Sequence, residues 1–101
     1  MPSNATSITV VHNLKAGRFE AQLPEGLAHA DYRRVGDTLH MTHTEVPDAA
    51  RGRGIAAAIV QAALDFADEN RLRIAPMCAY VRGYMQRHPE THALLAPSAR
   101  L

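Results

Sequence analysis

The chain has 101 residues, 47% hydrophobic and 21% charged, which suits one globular domain with a single core and excludes general disorder. A formal net charge of +1, from 11 Lys and Arg against 10 Asp and Glu, gives no broad field, so a nucleic-acid contact would need a local patch. The lone cysteine, Cys78, excludes an intrachain disulfide framework and suits a reducing compartment.

The opening stretch "MPSNATSITV" has neither a basic segment nor a long apolar one. The apolar run Ile55 to Val60 is far shorter than the ~20 residues of a membrane span. The expectation is a single cytoplasmic domain over residues 1–101, with 1–7 and 96–101 as flexible ends. Ile8 to His12 is short and β-branched and reads as a first strand. Arg18 to Leu23 alternates, with Phe19, Ala21 and Leu23 on one face and Arg18, Glu20 and Gln22 on the other. "LPEG" turns the chain into a third strand, about Leu27 to Val35, and Gly36-Asp37 turns it into a fourth, Thr38 to Val46.

After Pro47 the period becomes helical. Ile55, Ile59, Ala62, Ala63 and Phe66 share one side, opposite Gln61, Asp65, Asp68 and Glu69. Leu72 to Met77 is a short apolar strand, and Ala79 to Arg87 a second helix that Pro89 stops. The strand–helix–strand crossover sets the fifth strand parallel to the fourth. The fold class is α+β: a mixed, mainly antiparallel five-stranded sheet with two helices.

"RGRGIAAAIV", Arg51 to Val60, joins a glycine-rich loop to an apolar helix start. Unpaired N–H groups there carry partial positive charge, and Gly52 and Gly54 keep Cβ atoms out of an anion's path. The loop is neither a Walker sequence nor a dinucleotide fingerprint, and spacing alone leaves a solvated turn and a phosphate cradle level.

Arg51-Gly52-Arg53-Gly54-Ile55-Ala56 matches the Arg/Gln-x-x-Gly-x-Gly/Ala signature of the GCN5-related N-acetyltransferases. "HTEVPDAARGRGIAAAIVQAALDFADE" followed by "PMCAYVRGYMQRHPE" resembles the short YjdJ-type branch of that superfamily, from about Phe19 to Glu90. The resemblance implies an acetyl-CoA-dependent N-acetyltransferase acting on an unidentified amine, on a small molecule or a protein. Backbone groups of Thr44, Glu45 and Val46 would meet the pantetheine arm of coenzyme A, and Arg51, Gly52, Arg53, Gly54, Ile55 and Ala56 would wrap its pyrophosphate.

The same resemblance puts the thioester beside Cys78, which would protonate the departing thiolate or take the acyl group itself. A small buried hydrophobe is the plain alternative. His43 is a candidate base, Glu45 could hold a water that accepts the amine proton, and Tyr80 or, by choice, Tyr84 could donate near the sulfur. His40 and His43, three apart on a strand, should point to opposite faces, so no metal site is expected. His88 reads as a helix C-cap, and His12, His29 and His92 as surface residues. Only "NLKAG" separates the first two strands, where larger relatives have a helical region, so the acceptor side should be open. Two other readings stand beside the enzyme: a non-catalytic coenzyme A or acyl-coenzyme A binding module, and a nucleic-acid module using Arg33, Arg34, Arg51, Arg53 and Arg82.

Overall fold

The computed structural model describes residues 8–101, so the expectation for residues 1–7 lies outside the described residues. Five strands form one sheet in sequence order: β1 (Val11–Asn13), β2 (Arg18–Leu23), β3 (Gly26–Val35), β4 (Thr38–Glu45) and β5 (Arg73–Pro76). The first four pair antiparallel, and β5 runs parallel to β4. Two α-helices follow β4 and β5, α1 (Ile55–Glu69) and α2 (Ala79–Arg87), with short 3-10 turns at Asp48–Ala50 and Pro89–Leu94. The expected α+β architecture is the one observed. None of the described helices is long and apolar enough to cross a membrane.

The hairpins are short because their glycines adopt left-handed backbone. Gly17, at φ +70°, closes the β1–β2 turn with its N–H on the Asn13 carbonyl, and a Cβ there would lie 3.1 Å from the Tyr32 carbonyl. No helical region intervenes between these strands.

One face of the sheet is the core. Phe19 and Ala21 of β2, Ala28 and Ala30 of β3 and Leu39 and Met41 of β4 are buried against Ile55, Ile59, Val60, Ala63, Leu64 and Ala67 of α1. This helical stripe is rotated from the expected one: Leu64 and Ala67 are buried, whereas Ala62 and Phe66 are half-buried at its margin. Burying a side chain such as Ile59 contributes about 1.5–3 kcal/mol. α2 adds Val81, Tyr84 and Met85 to the same core. The opposite face carries Arg18, Glu20, His29, Asp31, Arg33 and His40, all half-buried or exposed.

Two departures from strand regularity shape the upper end. Between β3 and β4 the pairing runs Asp31 with His43 and then Tyr32 with Met41, so Thr42 is an extra residue in β4. This bulge reverses the side-chain alternation. His40 pairs with Arg33 and His43 with Asp31, which places both histidines on the outer face and corrects the expectation that they oppose each other. The second departure is the parting of β4 and β5. Their ladder ends at Met41–Pro76, where the Met77 and Cys78 N–H groups both donate to the Met41 carbonyl and the chain turns into α2. Beyond that point β4 runs on to Glu45 without β5 beside it.

His12 is not a surface residue. Its ring stacks on Phe19 at 4.0 Å, contacts Phe66 edge-on and lies 2.6 Å from the Tyr32 hydroxyl. At the C-terminal end Leu95 bridges to Ile74, and the buried Ala96 donates its N–H to the Ile74 carbonyl, so the chain is tied to β5 up to that residue.

Candidate functional site

A cavity of about 380 Å³ opens between the end of β4 and the start of α1. Its walls are Thr44 and Val46 from β4 and the residue after it, Arg51, Gly52 and Gly54 from the loop, Ile55, Ala56 and Ala57 from the first helical turn, and Tyr80 from α2. Gly52 and Gly54 stand at φ +83° and +76°, a region costly for residues with a Cβ, and a Cβ at either would meet nothing within 4 Å. The glycines therefore shape the loop by their backbone and leave open space beside it. Sequence spacing exposed only the second effect.

Among the described residues no side chain caps α1, and its first turn holds no acidic residue. The first helical bond is Ala58 N–H to the Gly54 carbonyl at 3.1 Å, so the amides of Ile55, Ala56 and Ala57 precede the ladder at the positive end of a 15-residue helix. Uncapped amides, open space beside two glycines and the Arg51 guanidinium fit a phosphate-bearing ligand. Arg51 is exposed and paired with exposed Asp48 at 3.1 Å, a weak link. Arg53 is held differently: its Nη2 donates to Glu25 Oε1 at 3.0 Å, and it is not among the cavity walls.

Cys78 is the N-cap residue of α2, half-buried where β4 and β5 part. Its Sγ lies 3.5 Å from Thr44 Oγ1. Burial pushes the thiol up, but the Thr44 hydroxyl and the backbone groups of Val81, Tyr80 and Thr44 outweigh it together and bring Cys78 below its ordinary value.

The other chemical candidates divide. Tyr84 is buried, and its hydroxyl donates to Gln61 of α1, which removes it from the cavity. Tyr80 is the phenol at the wall, and burial raises its pKa. His43 faces outward and donates from Nε2 to Glu45 Oε1 at 2.8 Å, and that bond, with the His43 charge, holds Glu45 below its usual range. Neither His43 nor Glu45 lines the cavity. Ala50 completes the walls, and neither it nor Ala57 was among the residues expected there. Ala57 was legible as the third amide of the helix, whereas Ala50 depends on a 3-10 turn with no period to reveal it.

His88 is the C-cap of α2, as expected, with Nδ1 donating to the Tyr84 carbonyl at 2.7 Å. The arginines considered for nucleic acid are spread and mostly engaged. Arg34 donates to the Gly36 carbonyl, Arg82 to the Pro76 and Met77 carbonyls, and Arg51 and Arg53 to acids.

A family model described as GCN5-related N-acetyl-transferase matches residues 18–94. Protein NATD1 of Homo sapiens is 46% identical over 85 residues, 81% of this chain and 75% of that protein. Protein NATD1 of Xenopus tropicalis is 40% identical over 88 residues, 84% of this chain and 81% of that one. The solution structure of a GCN5-like protein from Staphylococcus aureus superposes with a TM-score of 0.70 at 22% identity, covering 88% of both chains, a likeness of fold.

Proposed function

Since the chain belongs to the GCN5-related N-acetyltransferase family, we propose that its β4–α1 cavity takes acetyl-CoA and that the protein transfers the acetyl group to an amine. The observation that carries this reading is the uncapped α1 N-terminus opening into a 380 Å³ cavity beside Gly52 and Gly54. The amides of Ile55, Ala56 and Ala57, with Arg51, would hold the pyrophosphate through charge-assisted bonds. Arg53 would join them on leaving Glu25. The free edge of β4 at Thr44, Glu45 and Val46 offers backbone groups to the pantetheine arm, where β5 has turned away.

Bound acetyl-CoA supplies an activated acyl group and a thiolate leaving group. Cys78, with Thr44 against its sulfur, stands ready to hold or give a proton at Sγ, or to serve as a nucleophile through its thiolate. Tyr80 is a second proton donor at the wall, and burial keeps it protonated. A separate reading, a coenzyme A binding module without turnover, draws on the absence of any carboxylate or imidazole from the cavity walls among the described residues.

Calorimetry with coenzyme A, acetyl-CoA and ADP on the wild type and on Ala56→Glu tests the site. A glutamate in the first turn suits the helix dipole, so the fold persists while the added charge repels phosphate. Tight binding to the wild type and at least about tenfold weaker binding to the variant is the expected pair of results. Equal affinities would place the phosphates elsewhere. Intact-mass measurement after incubation with acetyl-CoA separates the two readings: binding with neither an acetyl adduct nor turnover on any amine leaves the binding module.

A further inference from the structure

A second cavity, of about 330 Å³, lies at the other end of the sheet, beside the β1–β2 turn. It exists because β2 reaches only as far as the Arg18–Asp31 pair, so residues 33–35 of β3 have β4 on one side and no strand on the other. The turn fills that place only in part. The Gly17 carbonyl accepts the Tyr32 N–H at 2.9 Å, and Leu14, on the cavity wall, is left 73% exposed.

This cavity opens on the core face of the sheet. Residues directly opposite on paired strands share a side. Tyr32 stands opposite Met41 and Arg34 opposite Leu39, and both partners are fully buried in the core that α1 covers. Arg34 is therefore an exposed cation on the side of β3 that otherwise carries Ala28, Ala30 and Tyr32. Phe66, half-buried at the margin of α1, and Leu39 supply the apolar walls beside it.

The charge of the walls has one sign. Among the described residues, Lys15 from the turn and Arg34 from the strand line the cavity and no carboxylate does. Arg34 Nε donates to the Gly36 carbonyl at 3.0 Å, which steadies the guanidinium and leaves its Nη pair for a planar acceptor. Burial raises the Tyr32 pKa and the Arg34 charge draws it back, so guanidinium and phenol act on each other. The phenol oxygen lies 2.6 Å from His12 Nε2, and the His12 ring meets Phe66 edge-on. His12 thus touches two of the wall residues from behind. The volume stands at the small end of the roughly 300–1,000 Å³ of ligand pockets, enough for one ring and a short chain.

We propose that this second cavity binds a small aromatic carboxylate, with its ring against Leu39 and Phe66 and its carboxylate between Lys15 and Arg34. The two cations repel an amine, and the apolar walls give a bare hydrated anion little to bury. The inference goes beyond the acyl-CoA reading and does not depend on it. Ile55, Ala56 and Ala57 at the start of α1 line the β4–α1 cavity, whereas Phe66, about three turns further on, lines this one.

The test is an NMR titration of the whole chain with phenylpropanoate, followed at backbone amides and histidine rings. Saturable shifts at millimolar ligand should appear at the His12 ring and the Gly17 and Arg34 amides, and not at Gly52 and Gly54. Phenylpropanol, which keeps the ring without the charge, and acetate, which keeps the charge without the ring, should each bind at least about tenfold more weakly. Arg34→Gln should also lose about tenfold in affinity, the scale of a lost charged hydrogen bond, with the thermal midpoint unchanged. Should that variant prove less stable, Lys15→Gln decides: about tenfold weaker binding sustains the site, and full affinity removes it. The assignment also falls if no saturable shift appears, if phenylpropanol binds as well as the carboxylate, or if the shifts gather at Gly52 and Gly54. None of these outcomes touches the acyl-CoA reading, which coenzyme A binding decides separately.

Discussion

Thr44 Oγ1 lies 3.5 Å from Cys78 Sγ, across the gap where β4 and β5 separate. The hydroxyl favours the thiolate, so Thr44→Val removes a group that lowers the Cys78 pKa and leaves burial, which raises it. Alkylation by iodoacetamide should therefore be slower in the variant at neutral pH, and its pH profile should move upward with little change at the alkaline plateau. A profile that does not move would detach Thr44 from the thiol.

Tyr84→Phe separates a structural phenol from a catalytic one. The hydroxyl joins α2 to Gln61 of α1, and its removal should cost about 1 kcal/mol of stability. Acetyl transfer, where a good amine is found, should be unaffected, whereas Tyr80→Phe should slow it. Urea unfolding and turnover of both variants check this, and a turnover defect confined to Tyr84→Phe would reverse the assignment.

Stability should depend on pH through His12. Burial holds its pKa below the ordinary 6.5, so the unfolded chain binds a proton more readily than the folded one. That contribution is complete above 6.5 and is lost as pH falls toward the folded value. Urea midpoints should decline as pH drops below about 6.5, and His12→Asn should flatten this part of the curve. An identical slope in the variant would assign the decline to other groups.

Gly17→Ala should destabilise the β1–β2 hairpin. Residue 17 sits at φ +70°, and the new Cβ would lie 3.1 Å from the Tyr32 carbonyl that the turn packs against. The left-handed backbone alone costs about 1–2 kcal/mol, readable as a lower thermal midpoint, whereas Gly36→Ala adds no such close contact and should cost less.

Much of this was legible because it rests on local rules. Alternation in Arg18–Leu23, the 3- and 4-residue spacing after Ile55 and the stop before Pro89 each gave an element whose observed bounds match closely. The glycine loop and its arginines were visible for the same reason, since their meaning lies in adjacent residues. What stayed hidden depends on neighbours distant in sequence. Nothing about Thr42 marks it as a bulge, because the extra residue exists only relative to β3. His12 looks polar until Phe19, Tyr32 and Phe66 surround it. Tyr80 and Tyr84 share a spacing, and only the position of Gln61 on α1 decides which phenol is occupied.

The single surplus residue at Thr42 has a consequence for reading related chains. In an unbroken strand that buried Met41, every second residue after it would turn inward, so His43 and Glu45 would enter the core and Thr44 would leave it. Keeping Thr42 but pairing it regularly would thus exchange the inner and outer sets wholesale and part Thr44 from Cys78, whereas deleting it would leave His43, Thr44 and Glu45 on their present faces. Sequences aligned through this strand should therefore be compared by face rather than by residue type: a single gap opposite Thr42 is the loss of a bulge and keeps each side chain on its side of the sheet.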